Sequence, residues 1–148
     1  MESDINLHVV LVVAFVKKGD RYLISRRSYS DKQAGGQWST PGGKVDLELG
    51  DNIIENTLKK EIREEVGIEI EDKIHYLGSD AFIRSSGHHV VTLVFVADWK
   101  SGEARPLEDQ AEVKWMTIQE ILNMPDCPDY LQKRIRLVKS SIVSHVSK

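Results

Sequence analysis

Trp38 to Ile68 reads WSTPGGKVDLELGDNIIENTLKKEIREEVGI, a glycine turn followed by a helix whose acids lie on an unexpected side. Ile54, Leu58, Ile62 and Val66 recur every four residues and fill one arc of a helical wheel. On the same wheel, at about 100° per residue, Glu61 and Glu65 fall within roughly 20° of Ile54, and Glu64 lies about 80° to one side. Asn52 is an N-cap candidate, Glu55 three positions later completes a capping-box pattern, and Gly67 supplies a left-handed stop, so the helix is expected over Asn52 to Val66.

Acids that border the buried stripe need an explanation. A solvated acidic face sits opposite the core, and like charges at i, i+3 and i, i+4 cost roughly 0.2–0.5 kcal/mol per pair. The plain alternative is a surface helix whose Glu residues pair with Lys59, Lys60 and Arg63. The preceding Pro41-Gly42-Gly43 turn favours a site instead, because it places accessible backbone groups near adjacent carboxylates on a rigid helix. Hard divalent cations such as Mg²⁺ take oxygen ligands of this kind and complete their shell with water and phosphate.

Upstream of this stretch, Ile5 to Val16 is rich in Val and Leu, and Lys17 to Asp20 turns into Arg21 to Arg27, which reads as a β-hairpin. Its first strand has the composition of one buried on both faces. Ser28 to Gln37 lacks any period and reads as a loop. Downstream, Lys73 to Arg84, His89 to Trp99 and Val113 to Met116 read as strands, Thr117 to Met124 as a short helix. Leu131, Ile135, Val138 and Ile142 mark an amphipathic last helix, with Lys133, Arg134, Arg136 and Lys139 on its solvated face. The fold class expected is α/β (α+β), a mixed sheet between helices.

A chain of 148 residues, 41% hydrophobic and 29% charged, buries one ordinary core and is too short for two, so a single domain over 1–148 is expected. The net charge of −3 provides no basic field to recruit nucleic acid or an anionic membrane. Cys127 is the only cysteine, which excludes an internal disulfide and fits a reducing compartment. The apolar run Val9 to Val16 is too short to span a bilayer, and Glu2 and Asp4 are wrong for a signal peptide. A cytoplasmic protein is expected.

Trp38 to Ile68 resembles the signature of the Nudix hydrolase family, including its MutT-like members. That signature is Gly, five residues, Glu, seven residues, then Arg-Glu-hydrophobe-x-Glu-Glu-x-Gly-hydrophobe. Its second half runs without gaps over Lys60, Glu61, Ile62, Arg63, Glu64, Glu65, Val66, Gly67 and Ile68, and a weaker resemblance extends from His8 to about Glu120. Three departures stand out: Leu47 to Gly50 looks like a small insertion, Asn52 aligns with the first box Glu, and Lys60 replaces the box Arg. Lysine keeps the charge and lacks the planar two-pronged donor.

The resemblance implies a Nudix-type α/β/α sandwich and metal-dependent hydrolysis of a nucleoside diphosphate linked to another moiety. Glu61, Glu64 and Glu65 would be catalytic and ligate Mg²⁺, or Mn²⁺, with Glu61 also orienting or deprotonating the water. The Gly42 carbonyl would be the backbone ligand. Glu108, in the loop from Gly102 to Gln110, would be a distal ligand, with Glu112 its rival. Arg26, Gly43 and Lys44 would contact substrate; Arg26 and Arg27 alternate in direction, so at most one of them reaches the phosphates. Trp38 either stacks on a base or packs. The leading substrate is a nucleoside triphosphate, cleaved to monophosphate and pyrophosphate; ADP-ribose or a nucleotide sugar is the alternative, and a non-catalytic nucleotide-binding module the rival of another class. The expected partner is a small nucleotide, not nucleic acid or membrane, with the chain a monomer or homodimer.

Overall fold

The structure, a computed structural model, describes residues 7–30, 35–45 and 47–146. Ile5, Glu2, Asp4 and residues 31–34 of the expected loop lie outside them. In chain order come β1 (Val9–Lys18), β2 (Arg21–Arg27), β3 (Trp38–Ser39), β4 (Gly42–Lys44), α1 (Ile53–Val66), β5 (Glu69–Ile83), β6 (His89–Ser101), β7 (Gln110–Met116), α2 (Ile118–Leu122) and α3 (Asp129–Val146).

The strands form one mixed sheet with the path β3-β2-β1-β6-β5; β4 pairs with β1, and β7 with β2. Among the described residues only the β1–β6 pairing is parallel, with Val12 opposite Leu93 and Val13 opposite Val94. The other pairings are antiparallel.

Strand alternation explains the layering. Val12, Ala14 and Val16 of β1 turn to one face with Leu23 and Phe95, where Leu58, Ile62 and Val66 of α1 cover them. Val13 and Phe15 turn to the other with Tyr22, Ile24 and Val94, under Ile121 of α2 and Leu131, Ile135 and Val138 of α3. Both faces of β1 are therefore buried, as its Val-rich run predicts. A mixed sheet between helices is the architecture expected from the sequence.

Several local expectations are corrected. Asn52 caps α1 in a left-handed conformation (φ 56°, ψ 32°) and makes no side-chain cap hydrogen bond, so the Asn52–Glu55 capping box does not form. Asparagine tolerates that conformation better than most residues. The reciprocal box forms instead at the start of α2, where Thr117 Oγ1 accepts from the Glu120 amide and Glu120 Oε1 from the Thr117 amide. β5 begins at Glu69, four residues before the expected start, and the two glycines of the Pro-Gly-Gly segment open a short strand, β4. Ile142 is partly exposed. Arg134 is buried rather than solvated: its guanidinium donates from Nε and Nη2 to the two carboxylate oxygens of Asp80 on β5, at 2.9 and 3.0 Å, a two-pronged pair that docks α3 on the sheet.

Candidate active site

The site is built where β4 passes under α1. Gly42 sits opposite Val13, and Gly43 opposite Val12, in a tight antiparallel pairing. The approach leaves no room for a side chain: a methyl group on Gly42 would stand 2.0 Å from the Val12 carbonyl oxygen. That closeness aims the Gly42 N–H at α1, where it donates to Glu65 Oε1 at 2.9 Å. The second oxygen of Glu65 accepts from Nε2 of Gln110, also at 2.9 Å.

Glu65 is only 7% exposed. Burial pushes its carboxyl up to about 7; the Gly42 hydrogen bond and Arg27 pull it down, and Glu61 and Glu108 push it up further. Four chain segments thus converge electrically on one carboxylate. Glu61 lies half-buried one turn earlier, its carboxylate against Gly43, where a methyl group would stand 2.6 Å from Cδ and 2.7 Å from Oε2. Glu64 faces solvent, and Lys44 is exposed beside the pair of glycines.

Gln110 arrives through a break in register. β7 pairs with β2 as Ser25–Val113 and Arg26–Glu112, then shifts so that Arg27 faces Gln110. One extra residue on β7 brings Arg27 and Gln110 together near Glu65. The loop before it is clipped to the end of α1: the amides of Arg105 and Leu107 donate to the carbonyls of Val66 and Glu65, at 3.0 and 2.9 Å. Glu108 follows in a left-handed conformation (φ 49°) within the turn closed by the Gln110 amide on the Leu107 carbonyl. A non-glycine residue there is held at a cost of roughly 1 kcal/mol or more.

The two rivals for the distal acid are placed differently. Glu108 acts on Glu65, whereas Glu112 accepts from Arg26 at 2.9 Å and lies 3.4 Å from Lys114. Arg26 is engaged by Glu112 and stacked near Trp38, while its neighbour Arg27 is the arginine whose charge reaches Glu65. Arg26, the arginine expected at the substrate, is thus the one paired with Glu112. Trp38 is 3% exposed and belongs to the core under α3, so of its two readings packing holds. Gln110 and Arg27 are the site neighbours that sequence reasoning missed or ranked second; only a correct β2–β7 register finds them. Among the described residues, no three His, Cys, Asp or Glu side chains already surround one point as a bound metal would require.

If Glu61 must rest on Gly43, Gly43→Ala displaces its carboxylate while leaving the sheet intact. We expect a loss of turnover of roughly tenfold or more, with a change in thermal midpoint of only a few degrees, checked by steady-state assay and calorimetry.

A mixed sheet with one long acidic helix on one face and two helices on the other, closed by a glycine turn under the acids, is the architecture of the Nudix hydrolases. The chain belongs to that family: the NUDIX domain matches residues 6–136. It is similar to the NAD-capped RNA hydrolase NudC of Pseudomonas aeruginosa, 32% identical over 115 residues, covering 77% of this chain and 38% of that one. It is also similar to the Nudix hydrolase YvcI of Bacillus subtilis, 32% identical over 97 residues, covering 63% of this chain and 59% of that one. The chain thus spans less than half the length of its NudC relatives. Among solved structures, a MutT Nudix hydrolase from Burkholderia pseudomallei superposes with a TM-score of 0.73 at 28% identity, over 90% of this chain and 99% of that one. The MutT protein of Methanosarcina mazei superposes with a TM-score of 0.76 at 21% identity, over 92% and 96%. Members of this family hydrolyse nucleoside diphosphates linked to other groups and generally use divalent metal ions. Among the described residues, no helix is long and apolar enough to cross a membrane.

Proposed function

We propose that this chain hydrolyses a phosphoanhydride bond of a nucleoside triphosphate, releasing monophosphate and pyrophosphate, with a divalent cation held by Glu61, Glu64, Glu65, Glu108 and the Gly42 carbonyl. One observation carries the reading: Glu65 is buried, fixed on both oxygens by Gly42 and Gln110, and close enough to Glu61 and Glu108 for their charge to act on it. The donor set is all oxygen, which suits Mg²⁺ or Mn²⁺ and not a thiolate-seeking metal. When bound, such an ion supplies neutralisation of the charge that develops on the phosphoryl oxygens.

The chain's own groups do the rest. Glu61, half-buried against Gly43, would hold or deprotonate the attacking water. Arg27, with Lys44 at the mouth, offers positive charge to the phosphates. Lys60 stands where the family motif has Arg, and as a point charge it orients the helix acids less rigidly.

A second reading has a specific support: the relatives at 32% identity are named NAD-capped RNA hydrolases, so a nucleoside diphosphate joined to a second nucleoside is the alternative substrate. The test is a panel of nucleoside triphosphates, ADP-ribose, nucleotide sugars, NAD and NAD-capped RNA with Mg²⁺ or Mn²⁺, products being resolved chromatographically. Monophosphate plus pyrophosphate from a triphosphate supports the first reading; cleavage of NAD or capped RNA alone supports the second. Chelation with EDTA should abolish either activity, and persistence of turnover after chelation would refute the metal-dependent reading.

A further inference from the structure

We propose that His8 and His89 form a chelating site for a transition-metal cation of the Cu²⁺ or Ni²⁺ type, separate from the acid site and independent of the hydrolase reading. The two rings meet through like atoms. Nδ1 of His8 and Nδ1 of His89 stand 2.8 Å apart, with ring centroids 4.7 Å apart and ring planes at 77°. One Nδ1–H donates to the other Nδ1, so two nitrogens that can each ligate a metal converge on a single proton. A cation that replaces this proton meets both nitrogens at once. With metal–nitrogen bonds of about 2.0–2.1 Å, the 2.8 Å separation subtends about 85° at the metal. That is close to the right angle of square-planar ligation and well short of a tetrahedral angle of about 109°, so the pair favours Cu²⁺ or Ni²⁺ over Zn²⁺.

The backbone puts the rings side by side. β1 and β6 pair in parallel with Val9 opposite Val90, so His8 and His89, each one residue earlier, are neighbours across the two strands. β6 is held on its other side by β5, where Ile83 pairs with His89. The chelate therefore needs little ordering when a cation arrives. His8 is exposed and His89 half-buried, which leaves the pair open to solvent. His88 does not join, because its Nδ1 pairs with Ser86 Oγ at 2.8 Å. Two imidazoles fill two positions and water the others. Along β1, His8 lies four residues from Val12, the partner of Gly43, a distance of about 13 Å in an extended strand. The donors differ as well: nitrogen here and oxygen at the acid site, so Mg²⁺ does not compete for the histidines.

The test is titration of the EDTA-treated, desalted protein with Cu²⁺ in the presence of excess Mg²⁺, followed by calorimetry and electron paramagnetic resonance. The wild type should bind one Cu²⁺ whose spectrum shows coupling to two nitrogens, and bound Cu²⁺ should raise the thermal midpoint. His8→Gln and His89→Gln should each weaken binding roughly tenfold or more and remove the two-nitrogen coupling, with midpoints unchanged in EDTA. His75→Gln, at an exposed histidine elsewhere on β5, and Glu65→Gln should both leave the signal intact. A wild-type spectrum without two-nitrogen coupling would overturn the site. So would the same coupling in His8→Gln or His89→Gln, or its loss in Glu65→Gln.

Discussion

Glu65→Gln should abolish most metal-dependent turnover, by roughly a hundredfold or more, and at the same time make the metal-free protein more stable above neutral pH. The loss follows from replacing a fixed carboxylate by an amide, a poor ligand for a hard cation. The gain follows from linkage. Burial raises the carboxyl of Glu65 to about 7, so below that pH the folded protein keeps a proton that the unfolded chain has already released. Stability contributed by the protonated form is complete below about 4.5 and is lost as pH rises through about 7. At pH 8 the buried charge therefore costs the fold about 3 kcal/mol, an order-of-magnitude figure from the size of the shift. Glutamine carries no such cost, and Gln110 can present its amide oxygen to the new amide by rotating, so both hydrogen bonds survive. The expected gain is about 1–3 kcal/mol, or roughly 3–10 °C in thermal midpoint at pH 8 with EDTA present. Calorimetry at pH 5 and pH 8 checks it: the advantage of the variant should shrink at pH 5. A variant less stable than wild type at pH 8 would contradict the buried-charge account.

Gly42→Ala should be the most damaging single methyl in the protein. The added carbon would meet the Val12 carbonyl oxygen at 2.0 Å and the Val13 α-carbon at 2.7 Å, and both are backbone atoms of the central strand with no rotamer to yield. β4 must move away from β1, which breaks the pairing of Gly42 with Val13 and Gly43 with Val12 and withdraws the N–H from Glu65. Overpacking against backbone costs roughly 3 kcal/mol or more, a fall in midpoint of the order of 10 °C, and turnover should be lost with it. Chemical denaturation alongside an activity assay measures both. Gly42→Ala should be distinguished from Gly43→Ala by stability, since the atoms nearest the latter's methyl belong to the flexible side chain of Glu61.

The parts of this architecture legible in the sequence are those whose causes are local. The period of Ile54, Leu58, Ile62 and Val66 with Gly67 as stop specifies α1, and the Val-rich start specifies a strand buried on both faces. Glu65, within 20° of Ile54 on the wheel, is indeed the buried acid. What the sequence does not display is pairing across distance. Gln110 reaches Glu65 across 45 residues and through a shifted register; Arg134 looks like one of four solvated cations until Asp80, 54 residues away, faces it. The same shift brings Arg27 opposite Gln110. The Asn52–Glu55 box is absent for a different reason: cap patterns specify residue types, while whether a side chain reaches the amides depends on the backbone conformation at the cap, here left-handed.

Glu65 serves the site twice, through a carboxylate held between Gly42 and Gln110 and through a main-chain carbonyl that accepts the amide of Leu107. The segment that carries Glu108 is consequently part of the helix's frame and not a flap that must fold down over a ligand. The ordering entropy of that segment is settled when the chain folds, once, instead of being charged against every encounter with substrate.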